Sequence, residues 1–505
     1  MKKCITMLVI LSIFCSAAVA EISGEDRQII RNFVDEFQLL AAIPRPSKHE
    51  QAVSDFLKGW AEERGYAVRQ NEVYDLIFDV PATEGYEALP LTALQAHMDM
   101  VCIGEDGKDY DPQRDPITVQ FDLDKGIMTA DGTSLGADDG AGVAMIMAIV
   151  DGGMDHGPLR VIFTVDEEVD MTGAMAITAE DLDGVKYLVN VDSEESDTVT
   201  ISTAADATII ATGTPSMALA SGDAALRIKL SGLKGGHSGI AIGEGKCNGI
   251  IAVGKTLAKL RESVPFGLVS LTGGRADNAI PDSAEAVIVV ASEEQEAVRT
   301  FIADREAQLK EEYQGIEDSI SLAVSDADAA SEVFEAGQAE AILDYVTRSM
   351  DGVNTMSAEI EGLVESSSNM GIIAVNADEI TIRQMPRSSV GERLTEIEDY
   401  QKALGAECGL DVTVIEGSRP WPVNEDSRIV PKIKEIYKGL TGEDIQVVAL
   451  HAALECGAFS VLSPHLDMAS IGPDLTGVHS PDETLYLASV AKVWHLLEEL
   501  LVSLD

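Results

Sequence analysis

Five short stretches of this chain carry histidine and acidic side chains at spacings that could hold metal ions. The first is Leu91-Thr-Ala-Leu-Gln-Ala-His-Met-Asp-Met-Val101, which alternates like a buried strand. A strand sends every second side chain to the same face, so His97 and Asp99 point the same way. An imidazole with a carboxylate two residues on suits a metal ligand beside an orienting acid. Alone, such a pair reads more readily as a core histidine satisfied by its neighbour. The acids downstream reverse that reading.

Gly136-Ala-Asp-Asp-Gly-Ala-Gly142 precedes a helical run over 143–150. Glycines before a helix can cradle phosphate, but the G-x-G-x-x-G spacing is absent and two acids would repel it. Acids in a tight loop suit a hard cation better. An apolar strand over 159–165 then ends in Asp166-Glu167-Glu168, and another over 187–191 delivers Asp192. Ligands gather at the carboxyl ends of such strands. Near the end, Gly477-Val-His-Ser-Pro-Asp-Glu483 predicts a helix start, with Ser480 as N-cap, Pro481 at N1 and Glu483 at N3. His479 then sits in the loop before the final helix. Together His97, Asp138, Glu168, Asp192 and His479 supply two imidazoles and three carboxylates, the ligand chemistry of a two-zinc site with one bridging carboxylate.

The elements that must position these residues are also legible. Ile29, Ile30, Phe33, Val34, Phe37 and Leu40 recur at helical spacing. Ser47-Lys-His-Glu50 predicts a capping box for a second helix running through Leu57 and Trp60 to Gly65, with His49 in its first turn and no role assigned to it. Strands follow over 67–80. Gly249-Ile-Ile-Ala-Val-Gly-Lys-Thr256 matches a phosphate-loop pattern, but Ile250, Val253, Leu257 and Leu260 mark a helix interior, so nucleotide binding is not expected.

The chain has 505 residues and a formal net charge of −50, which repels nucleic acid and anionic lipid. Residues 1–20 read as a signal peptide: Lys2 and Lys3, an apolar run over 5–14, and Ala18-Val-Ala20 as the cleavage site. The run is too short to span a bilayer. An exported protein, periplasmic or secreted and free of the membrane after cleavage, is the expectation. Cys102, Cys247, Cys408 and Cys456 are far apart with no C-x-x-C, indicating neither a zinc knuckle nor a disulfide framework.

From Ile43-Pro-Arg-Pro-Ser-Lys-His-Glu50 to the last helix, the sequence resembles the aminoacyl-histidine dipeptidases (Xaa-His dipeptidases, peptidase D), co-catalytic zinc exopeptidases related to carnosinase and carboxypeptidase G. The resemblance lies in Gln95-Ala-His-Met-Asp-Met-Val101, Leu135-Gly-Ala-Asp-Asp-Gly140, Asp166-Glu-Glu168 with Met171-Thr-Gly-Ala174, and Asp192-Ser-Glu-Glu195. It continues through Gly235-Gly-His-Ser-Gly239, Asn278-Ala-Ile-Pro281, Arg387-Ser-Ser389, Leu454-Glu-Cys-Gly457 and His479-Ser-Pro481. This chain departs from the family at Ala453, Asp282, Ala241 and the stretch Ser202-Thr-Ala-Ala-Asp206, none of them a ligand position.

The resemblance implies an α/β fold in which a catalytic domain, with a central mixed sheet flanked by helices, is interrupted by an inserted α/β lid of the dimerisation type. It implies a first catalytic part over 21–205, a lid over 206–417 and a second catalytic part over 418–505. Asp138 would bridge two zinc ions, with manganese or cobalt as alternatives. His97 and Asp192 would complete one site, Glu168 and His479 the other. Asp99 would orient His97, and Glu167 would be the general base. His237, Asn278 and Arg387 would bind the substrate, with His237 reaching across a homodimer. The implied reaction is hydrolysis of dipeptides, Xaa-His above all, by a two-zinc-activated water. An N-acyl amino acid deacylase or tripeptidase would use the same machinery. A non-catalytic peptide-binding protein would not require Glu167 beside five ligands.

Overall fold

Ile29, Ile30, Phe33, Val34, Phe37 and Leu40 fall on one face of the helix Gly24–Ala41, and all are buried. The computed structural model describes residues 23–358 and 362–505, so the predicted signal peptide lies outside the described residues. No described helix is long and apolar enough to cross a membrane.

Two sheets organise the chain. The first has eight strands in the order Arg69–Gln70, Leu76–Val80, Leu159–Thr164, Leu91–His97, Val185–Asn190, Asp467–Ser470, Thr198–Thr203 and Gln446–Leu450. It is mixed: Leu91–His97 runs parallel to both its neighbours, while Leu76–Val80 is antiparallel to Leu159–Thr164. Leu94, Ala96, Val161, Phe163 and Val189 pack into one core, and Ile77, Ala93, Ile162 and Leu188 into another. Burial on both faces explains why these strands read as apolar runs. The helix Ala137–Ala148 and the helix Gly24–Ala41 cover one face.

The second sheet has nine strands. Eight run in the order Ser321–Asp326, Ala224–Ser231, Ala284–Val290, Gly267–Gly273, Val364–Val375, Ile380–Ser388, Ala205–Gly213 and Asp411–Glu416, and Gly352–Met356 pairs with Val364–Val375. All its strands lie between Ala205 and Glu416, and it has its own core around Ile250, Val253, Leu257, Ile288, Tyr345 and Ile382. The helix Gly249–Arg261 occupies the stretch that matches a phosphate loop, with Ile250, Val253, Leu257 and Leu260 buried, as a helix interior requires.

Two helix starts differ from expectation. No capping box forms at Ser47–Glu50: the helix Gln51–Glu63 begins without a side-chain cap. Ser47 instead donates to Asp99 Oδ2 at 2.8 Å, and Glu50 Oε1 accepts from the amides of Lys48 and Asp166. Nor does Ser480-Pro-Asp-Glu483 start a helix. It is a turn leading into the strand Thr484–Tyr486, and the last helix is Leu487–Leu500. Glu483 is drawn away to amides more than 340 residues distant. In both places a buried long-range acceptor role displaces a local cap of equivalent chemistry. All four described cysteines are free.

Candidate metal centre

Register brings the first ligands together. His97 pairs with Thr164 and Gln95 with Asn190, so three parallel strands end side by side. The residues just beyond those ends are Asp99, Asp166-Glu167-Glu168 and Asp192. The strand itself stops at His97 rather than Val101. The fourth contribution, Asp138, lies at the start of the helix packed on this sheet, and His479 arrives on the loop after the short strand Leu475–Thr476.

Asp138 stands at the centre. Its Oδ1 lies 3.2 Å from His97 Nε2, which is also 3.4 Å from Asp192 Oδ1. Its Oδ2 lies 3.2 Å from His479 Nε2, which is 2.8 Å from Glu168 Oε2. One carboxylate therefore faces two donor pairs, one oxygen to each. Asp139 is also close to His97 and Asp192. Its oxygens also accept from the amides of His97 at 3.2 Å and Gly142 at 2.9 Å, so it ties the backbone on both sides of the cluster.

The outer support is dense. Asp99, fully buried, sets Oδ1 3.3 Å from His97 Nδ1 and also accepts from the amides of Glu167 at 3.1 Å and Glu168 at 3.3 Å. Val165 donates to Asp75 and Asp166 to Glu50, so four successive amides of this loop end on buried carboxylates. Such partners fix ligand orientation. Behind the sheet, Glu455 accepts from Gln95 and from Thr164 Oγ1 at 2.6 Å, and burial pushes its carboxyl up to about 8.

The electrostatics fit cations. Burial pushes the Asp192 carboxyl up to about 6, with Asp138 and Glu168 adding to the effect, although His97 opposes it. Burial alone would lift Asp138, but hydrogen bonds from His479 and His97 hold it below the usual carboxylate range. Hydrogen bonds to Asp138 and Glu168 carry the His479 imidazole up to about 11. Glu168 Oε1 is buried without a hydrogen-bond partner. Converging carboxylates that draw protons onto imidazoles are short of positive charge, and the unpartnered Glu168 oxygen is a further acceptor left unsatisfied. Imidazole nitrogens and carboxylate oxygens are the donors of two-metal hydrolytic sites. These residues suit two divalent cations sharing Asp138.

Glu167 differs from its neighbour. Its carboxylate makes no hydrogen bond among the described residues, and burial, with Asp192 and Glu168 nearby, raises it well above the ordinary glutamate range. A carboxyl left without a hydrogen-bond partner in this way has no structural bond to lose on gaining or giving up a proton.

His237 and Arg387 fall in a second cluster. Arg387, buried in the strand Ile380–Ser388, sits 3.4 Å from Asp206 Oδ2. His237 lies in the two-residue strand Gly236–His237, and its Nδ1 accepts from the amides of Gly239 and Ile240, leaving Nε2 to carry the proton. Asn278 is exposed, and its carbonyl accepts from Ser238. Among the described residues, none of these three bonds to the carboxylate centre.

Sequence reasoning passed over several residues. Burial, with the Arg387 charge adding to it, takes the imidazole of His451 down to about 4, and its Nε2 lies 2.7 Å from Ser367 Oγ. Arg45, Ser47 and Glu483 also support the centre. The signals for these were a lone cation between two prolines, a serine read as a cap, and a glutamate four residues after His479.

A sequence model of peptidase family M20/M25/M40 matches residues 93–503. A cytosol non-specific dipeptidase of Escherichia coli is 32% identical over 472 residues, covering 92% of this chain and 96% of its own length. The crystal structure of an aminoacylhistidine dipeptidase from Vibrio alginolyticus superposes with a TM-score of 0.87 at 32% identity, over 94% of this chain and 96% of that one. An aminopeptidase from Bacillus cereus, at 16% identity and a TM-score of 0.54, shares the fold over 94% of this chain and 98% of its own. The Escherichia coli relative is a cytosolic enzyme, which overturns the expectation of an exported, periplasmic or secreted protein. A short apolar run behind two lysines with small residues after it is a pattern of low information, and here it misled.

Proposed function

This chain belongs to peptidase family M20/M25/M40 and hydrolyses peptide bonds, and we propose that it is a cytosolic, two-metal dipeptidase acting on Xaa-His and related dipeptides. The observation that carries this reading is Asp138, with one oxygen toward His97 and Asp192 and the other toward His479 and Glu168. In it, the five residues hold two zinc ions, and the lid comprises 206–417 between catalytic parts 21–205 and 418–505. Held by these residues, two such cations would supply Lewis-acid chemistry toward a scissile carbonyl and toward water. The remaining work falls to the chain. Glu167 takes the proton of the attacking water and passes it to the leaving amine. Asp99 keeps Nε2 of His97 turned inward. Arg387 pairs with the substrate carboxylate through its planar fork, and Asn278 and His237 bind the substrate at the scissile carbonyl, with His237 donating to the developing oxyanion through Nε2.

The test is hydrolysis of a dipeptide panel, Xaa-His included, by the purified protein with and without chelator. Chelation should abolish turnover, and zinc, manganese or cobalt should restore it. Elemental analysis that finds no transition metal in active protein would refute the reading.

The proposal includes a homodimer in which His237 serves the partner's centre. In support, His237 bonds to no member of the carboxylate cluster among the described residues, its Nδ1 accepting instead from the amides of Gly239 and Ile240. Glu167→Gln and His237→Ala would then be defects in different subunits of one composite site. Each variant alone should be nearly inactive. Refolded together in equal amounts, about half the dimers are mixed with one intact site of two, so about a quarter of wild-type activity should return by two-fold symmetry. Subunit exchange without recovered activity would exclude action in trans.

A further inference from the structure

The first amides of a helix have no acceptor within it. At the helix Ala137–Ala148 the cap position is Gly136, which has no side chain to offer one. The acceptor comes instead from Glu483. Its Oε2 receives the amides of Leu135 at 2.8 Å and Gly136 at 3.0 Å, and its Oε1 those of Ala137 at 2.7 Å and Asp138 at 3.4 Å. Glu483 is 2% exposed, so this is a fully engaged buried carboxylate.

Arg45 grips the same loop through its carbonyls. It donates to Gly136 O at 2.5 Å and to Met98 O and Asp99 O at 2.9 Å each, tying the loop to the end of the His97 strand. Gly136 has φ 69°, and a Cβ there would lie 2.4 Å from Met100 Sδ and 2.7 Å from Arg45 Nη2. The loop is thus held on its donor side by Glu483 and on its acceptor side by Arg45, and packed too closely for any side chain at 136.

We infer that Glu483 is a positioning residue for Asp138: it holds the 135–138 loop so that each oxygen of Asp138 faces its own donor pair. The inference rests on the two-cation reading of the centre. It carries a consequence that simple ligand counting does not. His479 touches only one donor pair, whereas Asp138 serves both. Loss of His479 should therefore weaken one cation, and loss of Glu483 should weaken two.

Glu483→Gln tests this with little change of shape. Whichever way the amide turns, its NH₂ confronts two of the four backbone N–H groups. Zinc titration against a chromophoric chelator should show both binding constants weakened roughly 10- to 100-fold, the range for lost outer partners of a metal ligand. His479→Ala should weaken one of them. Glu483→Asp keeps a carboxylate on a shorter stem and should recover part of the loss, and cobalt-loaded protein should show shifted d–d absorption in both Glu483 variants. Two wild-type constants in Glu483→Gln, or the loss of a single cation as in His479→Ala, would overturn the inference. So would a Glu483→Asp variant no better than Glu483→Gln. If Glu483→Gln does not fold, Glu483→Asp decides: weakened constants with a shifted spectrum support the clamp, and wild-type values refute it. Wild-type protein that binds fewer than two cations would instead sink the two-cation reading itself.

Discussion

Glu167→Gln is expected to retain its metal content and lose turnover by a factor of about 10²–10⁴, the range for removing a positioned proton carrier. The structure separates this residue from Glu168 although the two are adjacent. Glu168 places Oε2 2.8 Å from His479 Nε2, so its carboxylate already has a partner in the cluster. Glu167 makes no such contact; its amide is anchored on Asp99 while its carboxyl stays unbonded and holds its proton more tightly than an ordinary glutamate. A glutamine has nearly the same volume and cannot accept and return a proton. Metal analysis and kcat on one preparation decide the matter. Glu168→Ala provides the contrast, because it should bind less metal. Near-normal turnover in Glu167→Gln would show that another group carries the proton.

Asp99→Ala should be damaging in two ways at once. The carboxylate is fully buried and serves four groups: His97 Nδ1, Ser47 Oγ and the amides of Glu167 and Glu168. With it gone, His97 is no longer held in orientation, and metal affinity should fall about 10- to 100-fold. The two amides and the hydroxyl, all part-buried, are left without that acceptor, each costing at most about 1–3 kcal/mol. A lower melting temperature and weaker metal binding should therefore appear together. Ser47→Ala removes one of the four contacts and should do neither strongly. Wild-type metal affinity in a folded Asp99→Ala would refute the orienting role.

How much of this was legible in the chain follows from particular residues. His97, Asp138, Glu168 and Asp192 could be found because each stands next to a strongly patterned element: an apolar strand that ends, or a glycine loop that opens a helix. Those patterns come from burial, which acts on each segment separately, and the order of elements then sets where parallel strands finish. His479 was found through its neighbours, although the helix predicted there is a turn and a short strand. The export signal was a misreading of a short, weak pattern.

The sequence by itself therefore singled out five residues that the structure brings together, their order, and the sheet whose strand ends carry most of them. Only the tertiary structure decided which oxygen of Asp138 faces which imidazole, and that His237, Arg387 and His451 gather apart from that centre. It alone decided that Ser47, Glu50 and Glu483 serve distant amides and a carboxylate rather than their own helices. The reason is physical. A serine or glutamate near a helix start has the same hydrogen-bonding chemistry wherever its partner lies, and local sequence holds no record of an unsatisfied amide 345 residues away. Once folding buries that amide, leaving it unpaired costs more than an uncapped helix end that water can still reach.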